Sequence, residues 1–178
     1  MCDPRLELIQ SKVKVTNDFP KPGVIFRDIF GVFGDPEGLK ALLEIITEKA
    51  LSMKGTVDVV VGLDSRGFLF GPIMANALGV PFVPIRKKGK LPPKVISTSY
   101  ELEYGSASIE IQETAINKGD RVLIVDDLLA TGGTLEGSMS LIDTVGGVTA
   151  RIYVLIELLG LGGAKRLKHP VESLLSYE

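Results

Sequence analysis

The chain has 178 residues, 45% hydrophobic and 24% charged, which is enough to build one sizeable core and too apolar for a disordered chain. Twenty basic side chains against twenty-two acidic ones leave a net charge of -2, which argues against non-specific binding to duplex nucleic acid and requires a local site for any anionic ligand. A single cysteine, Cys2, excludes an intrachain disulfide, and His169 as the one histidine leaves too few soft ligands for structural zinc.

Met1-Cys2-Asp3-Pro4-Arg5 lacks the basic cap and apolar stretch of a secretory signal, so a cytoplasmic setting is expected. Leu6, Leu8, Ile9 and Val13 fit an amphipathic helix over 3–15, with Asp3-Pro4 as its start. Phe19-Pro20-Lys21-Pro22-Gly23 breaks regular structure, and 24–29 resumes as an extended apolar stretch. After Asp35-Pro36, the spacing of Leu39, Leu42, Leu43, Ile45, Ile46 and Leu51 predicts a helix. The β-branched run 57–63 predicts a strand buried on both faces, with Asp64-Ser65-Arg66-Gly67 at its end. The stretch 67–85 carries no charge and has about the length of a membrane span, but Pro72, Gly79, Pro81 and Pro84 divide it into a buried helix over 68–78, a turn and a strand over 81–85. The polar stretch 86–99 holds Arg86, Lys87, Lys88, Lys90 and Lys94 among Gly89, Pro92 and Pro93, and reads as a mobile surface loop. Strands over 121–125 and 151–156 with a helix over 134–145 complete an alternation that predicts one α/β domain with a parallel sheet covered on both faces.

The chemistry concentrates in Val125-Asp126-Asp127-Leu128-Leu129-Ala130-Thr131-Gly132-Gly133-Thr134, where a buried strand ends in two carboxylates and a glycine-containing loop opens a helix. Gly132 and Gly133 let the backbone approach a phosphate, the helix N-terminus favours its charge, and Thr131 and Thr134 add hydroxyl donors. No lysine stands in the loop and no G-x-G-x-x-G occurs, so neither common nucleotide fingerprint applies. Carboxylates beside a phosphate cradle suit the vicinal hydroxyls of a ribose, or a magnesium ion bound directly or through water, so the ligand inferred is a ribose 5-phosphate; the plain alternative is that Asp126 and Asp127 cap a turn.

This segment resembles the phosphoribosyl-diphosphate motif of the type I phosphoribosyltransferases. The runs 19–29, 62–68, 86–92 and 100–105 are similar in order and spacing to the adenine-specific branch of that family, nearly to the chain's end. The resemblance implies a mainly parallel twisted sheet with flanking helices, a small N-terminal hood over about 1–35 and a flexible lid over about 86–110. It implies transfer of phosphoribose from 5-phosphoribosyl 1-diphosphate to adenine, giving AMP and pyrophosphate, with Mg2+ as cofactor and a homodimer as the assembly. By that resemblance Asp126 and Asp127 address the ribose hydroxyls, and Ala130, Thr131, Gly132, Gly133 and Thr134 hold the 5-phosphate. Ser65 and Arg66, with Arg86, Lys87 and Lys90 of the lid, take the pyrophosphate, and a cis peptide is implied at Asp64-Ser65. Glu103 matches the general acid or base and Tyr104 packs on sugar or base. Strand alternation alone puts Glu101 and Glu103 on one face and does not choose between them. The resemblance places Phe26 against adenine, with backbone groups of Ile25 and Arg27 on the purine edge and Leu158 or Leu159 closing the pocket. No metal ligand is directly assigned. The chain departs from the family pattern at Ser106-Ala107-Ser108, where many relatives carry an acid, and in the glycine richness of 160–165. The rival readings are transfer to another purine base and a non-catalytic sensor of the same sugar diphosphate.

Overall fold

The computed structural model describes residues 3–101 and 106–178. Glu103 and Tyr104 therefore lie outside the described residues. By contacts the chain divides into two compact units, Met1–Lys49 and Ala50–Glu178.

The first unit opens with α1 (Pro4–Lys12), where Asp3 caps the helix by accepting the Arg5 amide at 2.9 Å and Pro4 occupies the first turn. The helix stops three residues short of the expected 15. Lys14–Asn17 form strand β1, which pairs antiparallel with β2 (Ile25–Asp28). All four residues of β1 are exposed, so no apolar pattern marked it. A short helix α2 (Phe30–Phe33) precedes α3 (Pro36–Ser52), whose start is fixed by Asp35 accepting the Gly38 amide at 2.8 Å. This unit reaches past residue 35 to Lys49; within it Arg5 binds both Glu48 oxygens, at 2.7 and 2.8 Å, and Lys12 binds Asp35 at 2.7 Å.

The second unit is built on a seven-stranded sheet in the order β5-β6-β4-β3-β7-β8-β9. Strands β3 (Val59–Leu63), β4 (Phe82–Lys87), β7 (Arg121–Leu129), β8 (Val148–Leu158) and β9 (Val171–Tyr177) are parallel. Strands β5 (Val95–Glu101) and β6 (Ser106–Gln112) add an antiparallel edge beyond β4. All five residues of β3 are buried, as its β-branched run required. Helix α4 (Gly71–Leu78) packs on β3 and β4, and α5 (Gly133–Thr144) packs across β5 to β8. The core between the sheet and α5 is aliphatic, with Val61, Ile111, Ile124, Ile142 and Val154 fully buried.

Three local differences from the sequence reading have plain causes. The helix expected over 68–78 is divided into a 3-10 turn (Arg66–Leu69) and α4, because Pro72 sits in the first turn of α4. The stretch 86–99 is largely ordered into strands: β4 runs on through Lys87, and 95–101 pairs with β6, so only 88–94 joins them. Strand β7 does not end at Val125 but carries both aspartates to Leu129. Among the described residues, no helix is long and apolar enough to cross a membrane.

Chain order in the sheet reverses at β3: the chain goes from β3 outward to β4, then returns to the other side as β7. The carboxyl ends of β3 and β7 thus flank a topological switch point, where open α/β sheets form a ligand crevice.

Candidate active site

A cavity of about 440 Å³ occupies that position. Its walls come from the end of β3 and the following loop (Leu63 to Arg66), the end of β7 (Asp126 to Leu129), the loop Ala130–Gly132 and the start of α5. Of the sequence-derived site residues, Ser65, Arg66, Lys87, Asp126, Asp127, Ala130, Thr131, Gly132, Gly133 and Thr134 all line it. Arg86, Lys90 and Leu158 do not; Arg86 and Lys90 stand close by in the same strand and turn as Lys87, and Leu158 ends β8. Ile25, Phe26 and Arg27 form β2 of the first unit, where Phe26 makes an edge-to-face contact with Phe19 at 5.1 Å.

Two loops meet at the cavity floor. The Asp64-Ser65 peptide is cis, and the chain then turns into the 3-10 turn that carries Arg66. A Cβ added to Gly67 would lie 2.6 Å from the Val125 carbonyl oxygen, so only glycine lets this loop pass so close to β7. Arg66 in turn forms an ion pair with Asp127 at 2.5 Å. The β3 loop and the β7 carboxylates are thereby one unit.

Asp126 and Asp127 are adjacent acids in a largely desolvated place. Burial and the neighbouring Asp127 charge push the Asp126 carboxyl well above its usual range. Burial also raises Asp127, against the opposing pull of the Arg66 guanidinium. The Asp127 amide donates to Asp126 Oδ1 at 2.9 Å, which fixes the orientation of that carboxyl group. Asp64 is tied to Arg86, whose Nε donates to Asp64 Oδ2 at 3.1 Å. Arg86 also donates to the Lys90 carbonyl at 3.1 Å and stands 5.8 Å from the Phe68 ring centre.

The loop before α5 has the form of an anion cradle. Gly132 caps the helix in the left-handed region at φ 86°, and offers no side-chain acceptor to the first-turn amides. Those N–H groups have no partner within the helix and face the loop with the positive end of its dipole. Of the glycines at 160–165, Gly163 is held by a close approach. A Cβ on Gly132 would approach the Gly163 carbonyl oxygen to 2.8 Å, and one on Gly163 would collide with the Ala130 carbonyl. The 3-10 turn Gly163–Arg166 therefore buttresses the cradle backbone to backbone.

Sequence reasoning missed Asp64 and Tyr100 as lining residues. Tyr100, on β5, accepts a hydrogen bond from the Thr134 hydroxyl at 3.2 Å and packs over Gly137, so the edge hairpin touches the cradle. In the sequence Tyr100 opens the run 100–105 that resembles the family, but nothing local pointed to a place in the cavity wall.

Among the described residues, no three acidic, histidine or cysteine side chains gather into a metal site. Asp126 and Asp127 at the cavity floor nevertheless fit an ion that keeps several waters and takes further ligands from substrate oxygens, as Mg2+ does. Chemically, the cavity offers a phosphate cradle, two hydroxyl-accepting carboxylates and a cationic corner at Arg66 and Lys87. A polyhydroxylated ligand with anionic groups at both ends matches that sequence of charges.

The phosphoribosyl transferase domain family matches residues 34–175. An adenine phosphoribosyltransferase of Drosophila pseudoobscura is 47% identical over 99% of this chain and 97% of its own length. The crystal structure of adenine phosphoribosyltransferase from Thermoanaerobacter pseudethanolicus superposes with a TM-score of 0.90 at 44% identity, covering 97% of this chain and 99% of that one. The enzyme from Saccharomyces cerevisiae, solved with adenine and an imino-altritol bisphosphate, gives 0.88 at 38% identity, with 97% and 99% coverage. A domain match over most of the chain and relatives this similar along its whole length mean that the protein belongs to the phosphoribosyl transferase family, among the adenine phosphoribosyltransferases.

Proposed function

We propose that this transferase joins adenine to the phosphoribosyl group of 5-phosphoribosyl 1-diphosphate, releasing AMP and pyrophosphate in purine salvage. The observation that carries the reading is the pair Asp126–Asp127 set between the glycine cradle and the Arg66 loop in one cavity.

In this reading the amides of 130–134 and the hydroxyls of Thr131 and Thr134 hold the 5-phosphate. Asp126 and Asp127 accept hydrogen bonds from the two ribose hydroxyls and fix the ring. Ser65 and Arg66 grip the diphosphate from one side, and Arg86, Lys87 and Lys90 from the other. Adenine's five-membered-ring nitrogen attacks the anomeric carbon as that carbon's bond to the diphosphate oxygen breaks, and the bonding pair leaves with pyrophosphate. The proton on that ring passes to Glu103, with Tyr104 packed over sugar or base. Phe26 packs on adenine, Leu158 closes the pocket, and main-chain groups of Ile25 and Arg27 read the purine edge. An amide donor with a carbonyl acceptor matches adenine, whereas a 6-oxopurine leaves buried groups unpaired. Mg2+ supplies charge neutralisation of the diphosphate.

Of the lid expected over 86–110, the part outside the paired strands β4, β5 and β6 closes over the site and excludes water, since hydrolysis of the activated sugar competes with transfer. The first 35 residues act as a hood. The enzyme works as a cytoplasmic homodimer, which light scattering of the purified protein checks.

The direct test is incubation with Mg2+, 5-phosphoribosyl 1-diphosphate and each purine base in turn, with chromatography of the products. AMP from adenine alone is the expected result. Nucleotide from hypoxanthine, guanine or xanthine in comparable yield overturns the base assignment, and no nucleotide from any base with the sugar diphosphate still bound makes the protein a sensor.

The buttress behind the cradle gives a second expectation. Gly163→Ala forces the Ala130 carbonyl to move, so KM for 5-phosphoribosyl 1-diphosphate rises by about tenfold or more, the equivalent of roughly one or two hydrogen bonds to the phosphate. KM for adenine measured at a saturating level of the sugar substrate changes little. An unchanged KM for the sugar diphosphate would show that the cradle does not depend on its buttress.

A further inference from the structure

Among the described residues, Glu110 is the buried carboxylate that the chemistry above leaves unused. It lies on β6, is 3% exposed, and stands in register opposite Arg86 of β4. Its Oε1 accepts the main-chain amides of Lys90 at 3.0 Å and Leu91 at 2.9 Å, and the Gly89 amide is a third donor. Burial alone would raise its pKa, but these three amides and the Lys88 charge outweigh burial and hold it below the usual glutamate range. The group is therefore an anion at neutral pH.

The same turn is gripped from its carbonyl side. Arg86 donates to the Lys90 carbonyl at 3.1 Å while its Nε reaches Asp64, the residue before Ser65 in the loop after β3. Glu110 thus holds the N–H groups of the 89–91 turn, Arg86 holds one of its carbonyls, and Arg86 is itself tied to the opposite loop. A buried acid with converging amides on it fixes a turn more firmly than surface contacts do, because losing it would leave buried donors unpaired.

We infer that Glu110 is a positioning residue for the pyrophosphate half of the site: from beneath, it sets the turn that carries Arg86, Lys87 and Lys90, and it does so without touching substrate. This rests on the reading that those three residues bind the diphosphate, and it adds the group that places them. The ribose 5-phosphate half is built from β7 and α5 and does not hang on this turn.

The test measures binding of pyrophosphate with Mg2+, and separately of ribose 5-phosphate, to the full-length protein by calorimetry. Glu110→Ala is expected to weaken pyrophosphate by about tenfold or more, as loss of hydrogen bonds to a charged acceptor implies, with ribose 5-phosphate within about twofold of wild type. Glu110→Gln keeps a carbonyl acceptor for Lys90 and Leu91 and recovers most of the pyrophosphate affinity. If the alanine variant does not fold, Glu110→Asp replaces it: withdrawing the acceptor by one methylene must cost more pyrophosphate affinity than Gln does. Unchanged pyrophosphate binding, an equal loss for both ligands, or no recovery in Glu110→Gln overturns the inference. Wild-type protein that binds ribose 5-phosphate but not pyrophosphate overturns instead the reading on which it rests.

Discussion

Asp126→Asn is expected to weaken 5-phosphoribosyl 1-diphosphate by about 10- to 100-fold, the worth of one hydrogen bond to a charged group, and at the same time to raise the melting temperature. The two effects share one cause. The Asp126 carboxyl is half-buried and desolvated beside a second acid, so its folded-state pKa lies above its unfolded value. A group shifted upward stabilises the fold fully below its unfolded pKa, and that stability is lost as pH rises through the folded pKa. The wild-type protein therefore bears the cost of an ionised Asp126 at neutral and alkaline pH. Asparagine bears none and keeps the Oδ1 acceptor for the Asp127 amide. The gap in melting temperature should be widest above the raised pKa and should close as pH falls below the ordinary carboxylate range. Asp127→Asn is the contrast: it also weakens the ligand, but it breaks the Arg66–Asp127 ion pair and should not stabilise. Calorimetric titration with Mg2+ and scanning calorimetry across pH read both effects. Unchanged ligand affinity in both variants would refute the ribose-hydroxyl role, and no stabilisation in Asp126→Asn would refute the electrostatic account.

That arrangement also bears on how ligand binding follows pH. Acidification protonates the pair earlier than ordinary carboxylates, so affinity for the sugar diphosphate falls from a higher pH than free aspartate would suggest. The ligand's own phosphates titrate as well. Comparing the wild-type slope with that of Asp126→Asn separates the two, because only the protein's contribution differs.

The parts of the molecule readable from sequence are those whose signal is local. The run Val59–Leu63 declared a strand buried on both sides, and Asp126-Asp127 before Thr131-Gly132-Gly133-Thr134 declared the cradle, since backbone approach, helix start and hydroxyl acceptors lie within one stretch. Strands β1 and β5 escaped because pairing, not burial, makes them: β1 is wholly exposed, and β5 follows a basic, proline-containing stretch. Strand β9 escaped because Val-Glu-Ser-Leu-Leu-Ser-Tyr keeps no steady alternation, and its place beside β8 is a tertiary fact. Glu110 reads locally as a polar residue between two isoleucines. What buries it is a turn some twenty residues earlier that folds its amides onto it. Gly163 is of the same kind, since only the position of Ala130 shows why its side chain is missing. The family resemblance supplied the proposed roles of Ser65, Arg66 and the basic residues near 86–90, for which composition alone offered a turn and a solvated loop.

Glu103→Ala is expected to lower kcat by about 10²- to 10⁴-fold, the usual worth of a positioned general acid or base, with affinity for 5-phosphoribosyl 1-diphosphate within a few-fold of wild type. Among the described residues, three acids in or near the cavity are already engaged. Asp64 is bound to Arg86, Asp127 to Arg66, and Glu110 accepts main-chain amides. Asp126, with its raised pKa, is the rival proton carrier, and the kinetic split tells them apart. Loss of a proton-transfer group lowers kcat and kcat/KM together, whereas loss of a ribose-binding group raises KM and weakens binding. Glu103→Gln should be as impaired as the alanine variant, because an amide keeps the shape and hydrogen-bonding capacity but cannot take the proton from adenine. Glu101→Ala, two residues away on β5, should retain near-normal turnover and so resolves the choice that strand alternation leaves open. Near-normal kcat in Glu103→Ala, or substantial activity in Glu103→Gln, would remove Glu103 from proton transfer. A large kcat loss in Asp126→Asn without weakened binding would move that role to the β7 pair.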